Sequence, residues 1–453
     1  MLNEATLQFV SQHSHDDVRM LALHGCKNPD VDLTLALQQI QGRQTARRKL
    51  PSWAANEGIV YPPRLNMEQC SSELTARYKA QLAVKLNTHP DESCKSSPGR
   101  CPKPPSAGSL LIDLTGGFGV DFSFMAEAFD EAVYVERDPQ LCAIATHNLA
   151  LLGRSNAKTV CADAESWLSS VTYTAVPQSQ EAPSLSPSQS SVLIYLDPAR
   201  RDTHGQRTYS LADCSPNVVP LVPMLLQHSD HVMLKLSPML DWRKATDDLG
   251  QNHVGQIHIV AVDNECKELL IVLTHHCDRP LLVCTDIRSS DGHQTIFTVE
   301  PALSSQHFSL QPPTPAGAAT NDCRPPFQKL FPRASSFLYE PNAAIMKAGC
   351  FDDLAASFGI RQIAPNSHLF TSETPIAGFP GRRFRIEAVS TMNKRDLKAT
   401  LGHLHQANIA VRNFPLSVQQ LRQRLKLADG GTDYIFATTQ ADGGHVLLLC
   451  SRH

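Results

Sequence analysis

The residues best suited to chemistry in this chain are three carboxylates at successive strand ends, with a cluster of glycines beside the first. Asp113 closes the apolar run SLLID, and Thr115, Gly116, Gly117 and Gly119 follow in LTGGFG. Glycines let the backbone approach a ligand closely and take positive φ. The helix that starts behind them offers free N–H groups to an acidic group. Such a turn fits a dinucleotide or S-adenosylmethionine, and two details separate them. The dinucleotide fingerprint needs a further glycine three places after Gly119, where Phe122 stands. An acid at the strand end also repels a pyrophosphate, whereas it suits the ammonium group of a methionine moiety. Glu136 ends AVYVE, 23 residues after Asp113, and is placed to accept hydrogen bonds from both ribose hydroxyls. Asp163, after KTVCA, is placed to meet an adenine amino group. One such acid is an ordinary cap or surface group; three beside one glycine turn point to S-adenosylmethionine.

A second constellation lies downstream. VLIYL ends in Asp197-Pro198, and Arg200 and Arg201 follow. Arg200 could stack on a base or pair with a phosphate; alternatively Asp-Pro only turns the chain and both arginines form salt bridges. Lys235 ends HVMLKL before Ser237-Pro238, on the same carboxyl edge where ligands sit in such sheets. It could hold a phosphate, adjust a proton, or sit in an interior ion pair. Trp53 and Tyr61 could cover the cleft or stack on a base, with core packing as the competing reading. Cys214, in SLADCSPN, has the residue type for a nucleophile in uridine C5 chemistry, but no surrounding motif.

The elements that must position these residues alternate. SLLID (109–113), AVYVE (132–136), KTVCA (158–162), VLIYL (192–196) and HVMLKL (231–236) read as strands, separated by helix-like segments. GQIHIVAV (255–262) and KELLIVLT (267–274) follow one another closely, as antiparallel edge strands do. This βα alternation builds a parallel, doubly wound α/β sheet of seven strands. Residues 1–86 read as helical, with one helix ending at Pro51 and another opening after Ser71 or Ser72. From about 385 the pattern is βαβαββ, a small α+β domain. Polar tracts at 87–108, 175–190 and 311–326 are rich in Pro and Ser and read as linkers or surface excursions.

The 453 residues allow two or three domains. No apolar stretch approaches the roughly 20 residues that span a bilayer, and the start MLNEATLQFVSQHSHDD lacks the pattern of a secretory signal. The expectation is a cytoplasmic protein without a membrane partner. Thirteen cysteines are scattered with no CxxC pair, so neither a disulfide framework nor a structural metal is expected. The net charge of −3 is uneven: residues 376–453 hold eleven Lys/Arg against five Asp/Glu, a balance of +6 that leaves −9 elsewhere. A basic end of this kind marks an RNA-facing surface or a solvated face.

D-L-T-G-G-F-G with V-E-R-D-P downstream resembles the cofactor motifs of class I methyltransferases, especially rRNA guanine-N2 enzymes with a D-x-T-A-G-x-G turn. MEQCSSELTARYK, LDPARRD, YEPNAAIMKAG and VRNFPLSVQQLRQRLKLADGG are similar to a narrower group. These are the bacterial class I methyltransferases with a ferredoxin-like region and a C-terminal THUMP-like domain. The resemblance implies a Rossmann-like sheet at 109–278, after the helical region 1–86 and linker 87–108, then a ferredoxin-like region at 279–375 and a THUMP-like domain at 376–453. It implies S-adenosyl-L-methionine as cofactor, held by Asp113, Thr115, Gly116, Gly117, Gly119, Glu136, Asp163 and Asp197, and RNA as partner. Amine-methylating relatives end the fourth strand in (D/N)-P-P-(Y/F/W). Asp197 and Pro198 match, which makes them, with Lys235, the catalytic candidates. Ala199 and Arg200 replace the second proline and the stacking aromatic, leaving Arg200, Arg201 and Trp53 as substrate-binding candidates. The expected activity is methylation of a base amine in structured RNA; a protein or small-molecule acceptor, or binding without turnover, are the alternatives.

Overall fold

A computed structural model of the chain describes residues 2–87, 108–170, 191–200, 211–301 and 332–453. The three polar tracts lie outside these residues, apart from 87 and 108, as does Arg201; Arg200 is described only in its backbone. The chain divides into two compact units, residues 1–260, 267–280 and 289–292, and residues 261–266, 281–288 and 293–453.

The first unit opens with helices α1 (Glu4–Gln12), α2 (Val18–His24) and α3 (Leu33–Lys49). Asn3, Asp17 and Asp32 cap them by accepting backbone N–H bonds at their first turns. Pro51 ends α3 as expected and opens α4 (Pro51–Ala54), because proline costs nothing at the first helical position. After α5 (Arg64–Gln69), the Ser72 hydroxyl accepts from Thr75 N at 3.3 Å and starts α6 (Glu73–Asn87). Trp53, expected at a substrate surface, is instead a core residue. It is 2% exposed and packs edge-on against Phe118 at 4.9 Å, among Tyr61, Met67 and Phe124. Its indole serves to weld the helical layer to the sheet domain.

The sheet strands are β1 (Ser109–Asp113), β2 (Glu131–Glu136), β3 (Ala157–Cys161) and β4 (Ser191–Leu196), followed by the short pair β5 (Ala199–Arg200) and β6 (Cys214–Ser215). β7 (His231–Leu236), β8 (Val254–Val262), β9 (Glu265–Leu273), β10 (Leu281–Ile287) and β11 (Gln294–Val299) complete the series. Every residue of β1 and β4 is buried, as parallel central strands covered on both faces require. β2, β1, β4 and β7 pair in parallel, and β9 returns antiparallel beside β7. The strand order is β11-β10-β8-β9-β7-β4-β1-β2-β3. The seven expected strands are all present. The correction is the count: nine strands form the ladder, because β10 and β11, read with the following region, extend it. Helices α7 (Val120–Met125), α8 (Pro139–Leu151), α9 (Ala164–Ser170), α10 (Val218–Gln227) and α11 (Trp242–Leu249) connect the parallel strands. The order reverses at β1, whose neighbours are β2 and β4, and ligands bind at the carboxyl ends beside such a reversal.

The second unit is built on β12 (Phe337–Pro341), β13 (Arg361–Gln362), β14 (Phe370–Ser372), β15 (Gly381–Thr391), β16 (Asn408–Arg412), β17 (Tyr434–Thr439) and β18 (His445–Arg452). Their order is β13-β14-β12-β15-β18-β17-β16. Helices α12 (Ala343–Ala348), α13 (Phe351–Phe358), α14 (Lys394–Leu401) and α15 (Val418–Leu425) complete it, and from residue 381 the elements run β15-α14-β16-α15-β17-β18. Strand alternation gives the sheet two apolar faces: Phe436 and Leu448 pack with Phe384, whereas Ile435 and Leu447 pack with Leu401 and Leu421. The ten described cysteines are all free thiols, and no described helix is long and apolar enough to cross a membrane.

On β8, His258 is 5% exposed, with Tyr78 Oη 2.8 Å from Nδ1 and Gln256 Oε1 2.9 Å from Nε2. Burial, aided by Lys85, lowers its pKa to about 3, so the folded state keeps it neutral. Its unfolded counterpart titrates near 6.5. The stability it contributes is therefore present above pH 6.5 and drains as pH falls toward 3, at ~1.4 kcal/mol per pH unit. Urea melts of wild type and His258→Gln at pH 7 and pH 4.5 should show the variant losing less stability on acidification.

Candidate active site

Asp113 and Asp197 reach one edge because β1 and β4 are adjacent and parallel. The turn between them is built from backbone constraints. Gly116 faces the Tyr134 ring, and a Cβ there would lie 2.1 Å from a ring carbon. Gly117 and Gly119 hold φ of +54° and +82°, which other L residues rarely adopt. The Tyr134 hydroxyl donates to Gly117 O at 2.5 Å. Glu136 accepts from Gly117 N through Oε2 and from Asp138 N through Oε1, both at 2.9 Å. The strand-end acid thus shapes the glycine turn besides facing the cleft.

Thr115 joins the two motifs. Its N–H donates to Asp113 Oδ1 at 2.9 Å, and its hydroxyl oxygen accepts from Asp197 N at 2.6 Å. Asp163 caps α9, its Oδ1 accepting from Glu165 N and Ser166 N, both at 3.1 Å, while it lines the cleft. Pro198 lines it too, and the following residues pair backbone to backbone, Ala199 with Ser215 and Arg200 with Cys214. That pairing brings Cys214 to the cleft wall.

Beneath the cleft lies a charged layer that was not foreseen. Lys79, 0% exposed, donates to Glu268 Oε2 at 2.5 Å and to Ser71 Oγ at 3.0 Å, and lies 3.1 Å from Asp121 Oδ1. The Tyr195 hydroxyl donates to Asp121 Oδ2 at 2.8 Å. Lys235 donates to Asp197 Oδ2 and sits 4.0 Å from Asp121 Oδ2. The network runs from α6 to the end of β4. Burial raises the pKa of Asp121, but Lys79, Lys235 and the Tyr195 and Ser71 hydroxyls outweigh it and hold the carboxylate below its ordinary range. Burial disfavours a charged Lys235, yet Asp197, Asp121 and Glu268 raise its pKa well above the usual value. It stands as a fixed cation in an ion pair, not as a proton-adjusting base. A sequence signal for Lys79 existed: it falls on the stripe of α6 that buries Thr75, Tyr78, Leu82 and Ala83.

Two acids are pushed the other way. Burial raises the Asp113 pKa well above 3.8, against the Thr115 N–H and with Asp121, Asp197 and Glu136 adding repulsion. Burial also raises Asp197, with Lys235 pulling it back, although 40% of its side-chain surface stays open to the cleft. Seven carboxylates (Asp113, Asp121, Glu136, Asp138, Asp163, Glu165, Asp197) and three cations (Arg137, Lys235, Lys267) line a cleft of about 1020 Å³.

Family models match a ferredoxin-like domain at residues 337–380 and a THUMP domain-like module at 381–452. A solved protein of Porphyromonas gingivalis W83, assigned as a methyltransferase, is 30% identical, with a TM-score of 0.74 and coverage of 100% of both chains. The chain belongs to the bacterial class I S-adenosylmethionine-dependent methyltransferases with ferredoxin-like and THUMP-like domains. An uncharacterized S-adenosylmethionine-dependent methyltransferase of Mycobacterium tuberculosis, from strains CDC 1551 and H37Rv, is 24% identical over 71% of this chain and 75% of its own.

S-adenosylmethionine is the methyltransferase's cofactor, and the cleft fits it. The excess of carboxylates disfavours a pyrophosphate and favours a ligand with a sulfonium and an ammonium. Asp113 is raised by burial and by the repulsion of Asp121, Asp197 and Glu136, which an ammonium beside it would relieve. Two outcomes follow for Asp113→Asn. Because a raised acid pKa costs stability as pH rises above 3.8, the variant should melt no lower than wild type at pH 7 by differential scanning fluorimetry. S-adenosylmethionine affinity should fall at least tenfold by isothermal titration, and lose the wild-type rise with pH that accompanies Asp113 deprotonation.

Proposed function

We propose that the methyltransferase acts on a base amine of structured RNA. The observation that carries this reading is Asp197-Pro198, set on the wall of the cofactor cleft and tied to the glycine turn through the Thr115 hydroxyl. Bound there, S-adenosylmethionine supplies an electrophilic methyl group on a sulfonium. Asp113 would take its ammonium, the Gly116–Gly119 turn its amino-acid backbone, Glu136 its ribose and Asp163 its adenine.

Asp197 has one oxygen occupied by Lys235, which leaves the other to accept an N–H from the acceptor amine and direct its lone pair at the methyl carbon. Asp197 and Asp121 would stabilise the positive charge that the acceptor nitrogen takes on with the methyl group, until its proton passes to water at the open side of the cleft.

RNA is supported by the THUMP domain-like module and its charge. Lys394, Arg395 and Lys398 on α14 are exposed, as are Arg424 and Lys426 near the end of α15, and none makes an ion pair among the described residues. Arg382 and Arg412, by contrast, are committed to the buried Glu340. Phosphate contacts of this type position RNA without reading its sequence. Cys214 on the cleft wall keeps a C5-methylated pyrimidine as the competing product.

Asp197→Ala should abolish transfer of labelled methyl to cellular RNA and leave cofactor affinity within a few-fold. Nucleoside mass spectrometry of RNA from a deletion strain should then show loss of an N-methylated base; loss of a C-methylated pyrimidine would overturn the amine assignment. Reversing Lys394, Arg395 and Lys398 to Glu should weaken binding of structured RNA about tenfold or more and flatten its salt dependence. Salt-insensitive, unchanged affinity would sink the RNA reading in favour of a protein or small-molecule acceptor.

A further inference from the structure

Among the described residues, ten large apolar side chains are exposed, and two of them, Leu65 and Met239, line the cofactor cleft, each 61% exposed. A lone exposed apolar side chain is ordinary. Two on one cleft, each held outward by a fixed turn, are not. Leu65 belongs to α5, whose Met67 is 2% exposed in the core, and Lys49 donates to Met67 O at 2.9 Å and Glu68 O at 2.8 Å to secure the helix end. Met239 follows β7 in a turn where Ser237 Oγ accepts from Met239 N at 3.3 Å and Ser237 O from Leu240 N at 3.1 Å. Leu240, 8% exposed, anchors that turn from below.

Among the described residues, no open aromatic face lines the cleft. Its described aromatic lining residues, Phe118 and Tyr195, are 4% and 1% exposed. Yet at about 1020 Å³ it sits at the upper end of the roughly 300–1,000 Å³ usual for one small-molecule ligand, which leaves room for a second group beside the cofactor. Asn66 and Gln69 line the cleft from the same helix as Leu65, and each amide offers both donor and acceptor atoms.

We infer that Leu65 and Met239 form an aliphatic clamp for the planar base of the acceptor, and that Asn66 and Gln69 meet its hydrogen-bonding edge. Methionine suits this role because its polarisable sulfur packs well against aromatic rings. A base is the occupant because it is flat and edged with donors and acceptors, and because the acid-rich lining disfavours an anionic group. The inference rests on the base-amine reading above, and supplies the ring contact that the residue after Pro198 does not provide, since Ala199 stands there.

The test uses the full chain saturated with S-adenosylhomocysteine, so that the cofactor pocket is filled, and free guanosine or cytidine as probe. Saturation-transfer difference NMR should show base protons receiving more saturation than ribose protons. Leu65→Ser combined with Met239→Ser should cut that signal at least fivefold. Both residues are on the surface, so the melting temperature and S-adenosylhomocysteine affinity should stay close to wild type. An undiminished signal in the double variant, or no base signal in wild type, overturns the clamp. A lysine- or glutamine-containing peptide that saturates these residues while the nucleosides do not would overturn it in favour of a protein acceptor. The RNA reading fails separately: nucleosides that use the clamp, together with structured RNA that shows no salt-dependent binding, would leave the clamp standing and remove RNA as the acceptor.

Discussion

Lys79 has no solvent, and the cofactor edge of the molecule is organised around what its ammonium requires. A buried cation costs several kcal/mol unless carboxylates and hydroxyls surround it, and here Glu268, Asp121 and Ser71 do so. These partners come from β9, the first turn of α7, and the connection just before α6. Ser71 and Lys79 lock the helical layer against the sheet at the point where the glycine turn enters α7. A lysine that stabilised the fold by burial alone would be better replaced by an apolar side chain. Its charge is of use where the position of other charges matters, because Asp121, which also accepts from the Tyr195 hydroxyl, faces Lys235, and Lys235 donates to Asp197.

The excess of carboxylate over ammonium in the cleft gives the same layer a second role. Ion pairs neutralise Asp121 and Glu268, but Asp113 is left against burial and three like charges. Burial and those like charges favour the neutral acid, and a cationic group beside it would favour the carboxylate again. Specificity for S-adenosylmethionine over a dinucleotide therefore lies in electrostatics as much as in shape, since glycine turns of similar form serve both.

The sheet was readable from sequence because β1 and β4 are central, parallel and wholly buried, and because β1, β2 and β4 run into acids that stand out against the apolar residues before them. The βαβαββ order of the C-terminal elements was equally plain, since strand and helix periods alternate cleanly from residue 381. The ladder's continuation through β10 and β11 was not, because the hydrogen-bonding partner of an edge strand leaves no mark in its own side-chain pattern. Trp53 misled for a related reason: a single tryptophan in an irregular stretch carries no periodicity to show which side it faces. The charged layer was hidden by distance. Lys79 and Glu268 are 189 residues apart, and the buried stripe that carries Lys79 does not show which acid it meets.

Thr115 opens the glycine turn with a side chain. A glycine there would leave the backbone free but would offer nothing to Asp197 N. The hydroxyl instead fastens the ends of β1 and β4 into one part. The separation of the Asp113 and Asp197 carboxylates is thereby set by the protein's own hydrogen bonds and does not depend on a ligand to create it.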